Sequence, residues 1–368
     1  MTPQTQTASA PDAPDAPSHA EHASEEVALL VEPSALSDRE RILKTLLRSR
    51  ELSIFIVLVL VIAAATIKSP TFLFSPSGWR DLLLTPAMLV VLAVGQTVVI
   101  ITRNVDLSVG SVLGLTAYMT GRLFIDHPDL PVVAVFVAAV VAGGVLGLVN
   151  GVLVGYGRVP ALVITLGTLY IFRGVLLTWA GSSLVSASEM PSGFLDLGTA
   201  QILTIPVLFA LAVVITVAVG YYLQTARSGR ELYAVGSDPD AAVLYGLPVR
   251  SRVIGAFVLS GALAGLAGVI YAARYGTVSS DAGTGIELQA VAAAVIGGVA
   301  IFGGSGTVWG AAIGAVLLVT INRALPMVGI SDFWQQALVG ALIIAAIILD
   351  RVLSARQARK LIEARDES

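Results

Sequence analysis

Residues 224–253 read QTARSGRELYAVGSDPDAAVLYGLPVRSRV, and no other hydrophilic stretch of this size lies between the apolar runs of the chain. Between Arg173 and Arg227 there is no Lys or Arg at all; then Arg227, Arg230, Arg250 and Arg252 arrive within this one segment. Arginines this close to the ends of apolar runs put a segment on the cytoplasmic side of a membrane. The flanking runs are continuous rather than alternating in hydrophobicity, which suits helices and not a barrel. The expected fold is therefore all-α, a polytopic membrane helix bundle, and the 224–253 segment is where such a bundle would meet a soluble partner.

Composition agrees. Hydrophobic residues make up 56% of the chain and charged residues 13%, with a mean hydropathy of +0.85. A soluble globular domain is less apolar and carries about twice that share of charge. The net charge of −3 gives no basic face for nucleic acid, so the expected surroundings are a lipid bilayer. Cysteine is absent, which excludes disulfides, thiol catalysis and cysteine metal sites. His19, His22 and His127 lie outside the apolar runs, so neither a metal site nor a histidine relay is expected within the bilayer.

Crossing roughly 30 Å of hydrocarbon takes roughly 20 mainly apolar residues, and about ten runs qualify. They fall at 52–67, 82–102, 108–125, 131–155, 161–179, 202–222, 254–274, 286–302, 307–325 and 334–350. Residues 1–38 form an acidic tail rich in Ala, Pro and Ser, expected to be disordered and cytoplasmic. That tail lacks the basic start of a cleaved signal peptide. Residues 39–51 form a basic juxtamembrane segment containing Arg39, Arg41, Lys44, Arg48 and Arg50, which holds the N-terminus inside. An even count of crossings returns the C-terminus to the cytoplasm, where the 351–368 tail carries Arg351, Arg356, Arg359, Lys360 and Arg365. Arg158 also falls inside, and the stretch Gly181–Gln201, without a positive charge, falls outside. Lys68, Arg80, Arg122 and Arg274 sit at outer ends against the rule. They are interfacial anchors, or they pair with carboxylates of an extracytoplasmic partner, for which Arg80 and Arg274 are the candidates.

Glycines at Gly143, Gly144, Gly147 and Gly151, and at Gly261, Gly265 and Gly268, have the spacing that lets helix backbones approach closely. Packing is their expected role. The stretch Arg103–Ser111 breaks two apolar runs with two charges and several polar side chains. Arg103 and Asp106 are three apart, which suits an ion pair on a helix face, and Asp106 or Ser108 suits the cap of a helix starting near Val109. A capped turn and a gate or pathway lining are both open readings. Arg173 lies inside a run, where it snorkels to the interface or satisfies backbone carbonyls of a neighbouring helix. Gln96, Thr97, Asn150 and Thr165 add polar atoms to apolar helices, either as interhelical hydrogen bonds or, with Asn104, Asp106, Ser108 and Glu287, as the lining of a pathway for a neutral polyol.

Within the polar segment, Asp238 suits an N-cap, Pro239 the first helical position, and Gly246 followed by Pro248 a stop. The result is a helix of about two turns, too short to be stable alone, so it must dock. A nucleophile–base pair or cofactor fingerprint is missing, which argues against an enzyme. Carboxylates are nearly missing from the central helices, which argues against ion-coupled secondary transport. Nor does the chain have a Gly-Lys-Ser/Thr phosphate loop, since none of Lys44, Lys68 and Lys360 follows a glycine.

Asp240-Ala241-Ala242, then Gly246-Leu247-Pro248, resembles the coupling loop of ABC importer permeases, which seats on the ATPase subunit. Gly229-Arg230 with Tyr233-Ala234-Val235-Gly236, the Asn104–Ser111 motif, Thr165-Leu166-Gly167-Thr168, and Ala292–Gly298 followed by Gly303-Gly304-Ser305-Gly306-Thr307 extend the likeness. As a set they are similar to the ribose/xylose/rhamnose/autoinducer-2 class of monosaccharide permeases, from about Leu83 to Arg351. The Thr102-Arg103-Asn104 approach looks more like the rhamnose and autoinducer-2 branches. The resemblance implies a transmembrane permease domain at 52–350 in a prokaryotic cytoplasmic (inner) membrane, with its coupling segment at 224–253. It implies a second permease copy or a homologous permease, an extracytoplasmic sugar-binding protein, and ABC ATPase subunits that bind the ATP and Mg this chain does not. It further implies that Arg230, Asp238, Pro239, Asp240, Ala241, Ala242, Gly246 and Pro248 form the ATPase-coupling surface. Related ABC permeases for nucleosides or branched-chain amino acids are the alternative.

Overall fold

The computed structural model describes residues 50–348, apart from 158, 332, 335, 343, 346 and 347. The expectations for the acidic tail, most of the basic segment, Arg158 and the 351–368 tail lie outside the described residues. Helices α1 (Arg50–Lys68), α2 (Thr71–Phe74), α3 (Pro76–Leu84) and α4 (Ala87–Ile101) are followed by α5 (Val109–Asp126), α6 (Val132–Gly157) and α7 (Ala161–Ala180). Next come the short α8 (Ser192–Leu195), a two-stranded hairpin of β1 (Gln201–Ile202) and β2 (Ile205–Pro206), and α9 (Val207–Thr225). The polar segment forms α10 (Arg227–Ser237) and α11 (Pro239–Leu244), after which α12 (Val249–Tyr275), α13 (Ile286–Ile296) and α14 (Val308–Ala324) complete the bundle. Residues 336–342 are helical as well.

Among the described residues, six helical stretches are long and apolar enough to span a membrane: Glu51–Lys68, Pro76–Ile101, Val132–Gly157, Ala161–Ala180, Val207–Thr225 and Val249–Tyr275. Their outward faces are apolar. Phe55 and Leu60 on α1, Val137 and Val141 on α6, Leu162 and Ile171 on α7, and Val214 on α9 all stand exposed. So much exposed hydrocarbon is unfavourable in water and ordinary in lipid. The core runs through α4, buried from Leu89 to Ile101, and through α12, which packs on α4, α5 and α6.

Glycine is why α12 sits so close to its neighbours. A Cβ at Gly143 would stand 2.8 Å from the Gly265 Cα, and one at Gly261 would stand 2.7 Å from the Gly147 Cα. The spacing read from sequence is therefore a backbone-to-backbone seam between α6 and α12. Gly144 points off that seam, and its nearest neighbour would be the Ala262 Cβ at 3.7 Å.

Several expected spans shift. The run placed at 202–222 begins as a helix only at Val207, because the chain first turns through the hairpin. Leu203 (φ 49) and Thr204 (φ 77) both take the left-handed conformation of its tight turn. The run placed at 254–274 starts earlier, at Val249, so Arg250 and Arg252 belong to the first turn of α12 rather than to a loop. The run placed at 286–302 divides into the 11-residue α13 and a glycine turn at Gly297–Gly298. At 1.5 Å per residue α13 reaches about 16 Å, roughly half the thickness of hydrocarbon. Ahead of it, residues 276–285 pass through the bundle without helix, with Val278 and Ala282 buried. Irregular backbone at such a depth is tolerated when it is packed against protein.

Candidate functional site

The polar segment is rigidly built. Extended backbone at Ala226 ends α9 and starts α10, and Arg230 Nη1 donates to the carbonyls of Thr225 (2.8 Å) and Gln224 (3.3 Å), closing the end of α9. Leu232 and Val235 face the bundle, and the buried Glu231 carboxylate accepts from Arg252 Nε at 2.5 Å and Arg227 Nε at 2.8 Å. This clip fastens α10 to the start of α12. The Arg252 and Arg227 guanidiniums hold the Glu231 carboxyl below the usual carboxylate range.

Asp238 caps α11 as its sequence predicts, accepting from the N–H groups of Asp240 and Ala241 at 3.0 Å each. Pro239 takes the first position, and Gly246 turns the chain out of the helix at φ 75. Ala242 alone is buried beneath it, while Val243, Leu244 and Tyr245 are 61%, 88% and 87% exposed. No described residue of this chain covers these three large side chains at the end of the short helix. Asp240 and Pro248 are exposed beside them.

A second group of polar residues lies inside the bundle. Gln96 clamps the Asp106 backbone, its Nε2 donating to the Asp106 carbonyl and its Oε1 accepting from the Asp106 N–H at 3.5 Å. Asp106 Oδ1 accepts from the Ser108 N–H (3.0 Å) and hydroxyl (2.6 Å) and from Asn150 Nδ2 (3.5 Å); the Ser260 hydroxyl reaches Oδ2 at 3.5 Å. Asn150 Nδ2 also donates to Ser108 Oγ at 2.7 Å, and Thr165 Oγ1 donates to the Val105 carbonyl at 3.1 Å. All these side chains are buried, so α4, α6, α7 and α12 converge on the turn between α4 and α5.

Two expectations for this turn need correction. Arg103 and Asp106 do not pair: the backbone at Arg103 is left-handed (φ 63), so helical spacing does not apply, and the guanidinium donates to the Gly236 and Ser237 carbonyls instead. Ser108 stands at the N-cap of α5 but makes no side-chain cap bond, since its hydroxyl donates to Asp106. Thr97 donates to the Ala93 carbonyl of its own helix at 2.7 Å, and Asn104 donates to Thr102, so neither joins the cluster. Ser260 does join it; as a lone serine in an apolar helix it carried no sequence signal beyond a backbone-bonded hydroxyl.

Glu287 belongs to a third group, where the second break in the bundle meets the first. A Cβ at Gly110, in the opening turn of α5, would lie 2.6 Å from the Gly283 carbonyl. Arg173 Nη1 donates to the carbonyls of Ala282 (2.7 Å) and Ser280 (3.3 Å), which satisfies backbone groups of the irregular 276–285 stretch. Glu287 Oε1 accepts from the Gly285 N–H at 3.2 Å. Asp281 accepts from the Ser279 hydroxyl. Two discontinuous helices thus bring carboxylate, guanidinium and carbonyl groups together, with Arg173 and Glu287 half-buried and Asp281 exposed. Such breaks are where transport proteins handle polar cargo.

Arg80 and Arg274 both approach Asp81, at 3.7 and 3.5 Å, and in the last turn of α5 Arg122 pairs with Asp126 at 2.6 Å. The outer arginines of the sequence reading therefore have carboxylates in their own chain. Arg323 was missed; it donates to the Gly78 carbonyl at 2.9 Å and lies over the Phe72 ring at 4.7 Å.

Comparison with known proteins places this architecture. Residues 80–347 match a family described as the permease component of the branched-chain amino acid transport system. The chain is 32% identical over 300 residues to the D-allose transport system permease protein of Escherichia coli K12, covering 82% of this chain and 91% of that protein. It is 36% identical over 310 residues to the autoinducer 2 import system permease protein of Enterobacter sp. strain 638, covering 84% and 88%. No solved structure matches it. With two breaks inside an apolar bundle, a capped two-turn helix on its polar insert and a match over most of its length, the chain belongs to the transport-system permease family.

Proposed function

We propose that this protein is the membrane permease of an ABC importer for a monosaccharide or a related small polyol. The observation that carries the proposal is α11, whose Val243, Leu244 and Tyr245 stand bare on a helix too short to persist by itself. A soluble partner covering those side chains is an ABC ATPase, which supplies the nucleotide site and the ATP and Mg chemistry. In this reading the chain crosses the inner membrane about ten times, with both termini and α10–α11 in the cytoplasm. A second copy or a homologous permease completes the pathway, and an extracytoplasmic sugar-binding protein delivers the cargo. Nucleotide-driven movement of α11 then shifts the bundle between outward and inward access, the two-state behaviour that coupling requires.

The class of cargo rests on the relatives, which carry sugar and autoinducer names, and on the neutral hydroxyls and amides of Gln96, Ser108, Asn150, Thr165 and Ser260, groups suited to a polyol. Uptake of labelled D-allose, ribose, rhamnose and leucine by cells with and without the chromosomal copy is the test. Loss of one sugar's uptake with leucine unchanged is expected; loss of leucine uptake alone would move the assignment to branched-chain amino acids.

A further inference from the structure

Arg103 joins the two halves of the candidate site. On one side it adjoins the turn whose next residues, Val105, Asp106 and Ser108, are held by Thr165, Gln96 and Asn150. On the other its guanidinium holds the Gly236 and Ser237 carbonyls at the end of α10, directly before the Asp238 cap of α11. The contact is close-fitting from both sides. The Gly304 N–H donates to the Ile101 carbonyl at 2.9 Å, and a Cβ at Gly236 would stand 2.7 Å from the Gly304 nitrogen. A Cβ at Gly303 would stand 2.9 Å from the Arg103 nitrogen, and one at Gly304 would stand 2.8 Å from the Ser237 Cα. Tyr233 on α10 adds a hydroxyl bond to the Gly306 carbonyl at 3.0 Å. Arg103 itself is in the left-handed region, where a side chain other than glycine persists only if its surroundings hold it.

Resting on the importer reading, we infer that Arg103 is a positioning residue that transmits movement of α11 to the buried Asp106 cluster. Its charge-assisted bonds to two successive carbonyls make the end of α10, the Gly303–Gly304 turn and the Arg103 turn one unit. When the partner ATPase displaces α11, that unit carries the displacement into the bundle. Without the guanidinium, α11 still follows the ATPase while the cluster stays behind.

Hydrogen exchange of the purified permease–ATPase complex, nucleotide-free and trapped with ATP and vanadate, tests this without knowledge of the cargo. In the parent complex both 239–246 and 104–111 should change exchange on trapping. Arg103→Gly relaxes the left-handed backbone and so keeps the fold, but removes the donors. It is expected to leave the 239–246 response intact and to cut the 104–111 response by about fivefold or more, the size of a lost coupling of this kind. Arg103→Lys, which keeps one donor, should fall between. Gly236→Ala wedges the same contact from the opposite side and should reproduce the glycine variant. An unreduced 104–111 response in Arg103→Gly overturns the inference while the importer reading stands. No response at 239–246 in the parent overturns both.

Discussion

Single residues carry most of the polar chemistry, and their partners were harder to read than their identities. Gln96, Asp106, Ser108, Asn150 and Thr165 stand out because each interrupts an apolar run, and the structure brings all five onto one turn. The expected Arg103–Asp106 pair fails because the spacing rule assumes a helix, whereas Arg103 has φ 63. Nothing local in a sequence announces that a guanidinium will bond to carbonyls 133 and 134 positions away. Glu231 offers a titration test. Its folded carboxyl lies below the ordinary value of about 4.3, held there by Arg252 and Arg227. A lowered carboxyl stabilises fully above the unfolded value and loses that contribution as pH falls through the folded one. Thermal unfolding of the parent and of Glu231→Gln should therefore differ most at pH 5 and above, with the gap closing as the pH drops through about 4 and below. A gap unchanged across that range would show that the Arg252–Glu231–Arg227 clip does not hold α10.

Whole elements were legible where their ends are written locally. The Asp238 cap, Pro239 and Gly246 predict α11 nearly residue for residue, because capping is a contact within a few positions. Breaks inside apolar runs were not legible. From Ala290 to Phe302 the run holds no polar side chain, yet its helix ends at Ile296, where Gly297 packs against Gly310 and Gly314 of α14. Glycine spacing marked close helix packing but neither that α6 meets α12 nor which glycines matter. Gly261→Leu should drive a side chain into the Gly147 backbone and cost about 1–3 kcal/mol or more. Gly144→Ala, with 3.7 Å to its nearest neighbour, should be neutral or slightly stabilising. Thermal stability of the two variants in detergent separates them, and equal losses would mean that the seam is not the close contact described.

At the scale of the molecule, composition and run length made a mostly helical membrane bundle readable, and the exposed apolar faces of α1, α6, α7 and α9 agree, although among the described residues six helical stretches rather than about ten are long and apolar enough to span. The docking place proposed for the polar segment narrows, on exposure, to Val243, Leu244 and Tyr245. The claim that joins fold to function is that these side chains seat on an ABC ATPase. Purification of the tagged protein from its native membrane in mild detergent, alongside Leu244→Asp, with mass spectrometry of what accompanies each, tests it most directly. The account predicts an ABC ATPase in near-equal amount with the parent and its loss from Leu244→Asp, while the variant remains in the membrane. Recovery of the parent without an ATPase, or of the variant with as much ATPase as the parent, would contradict it.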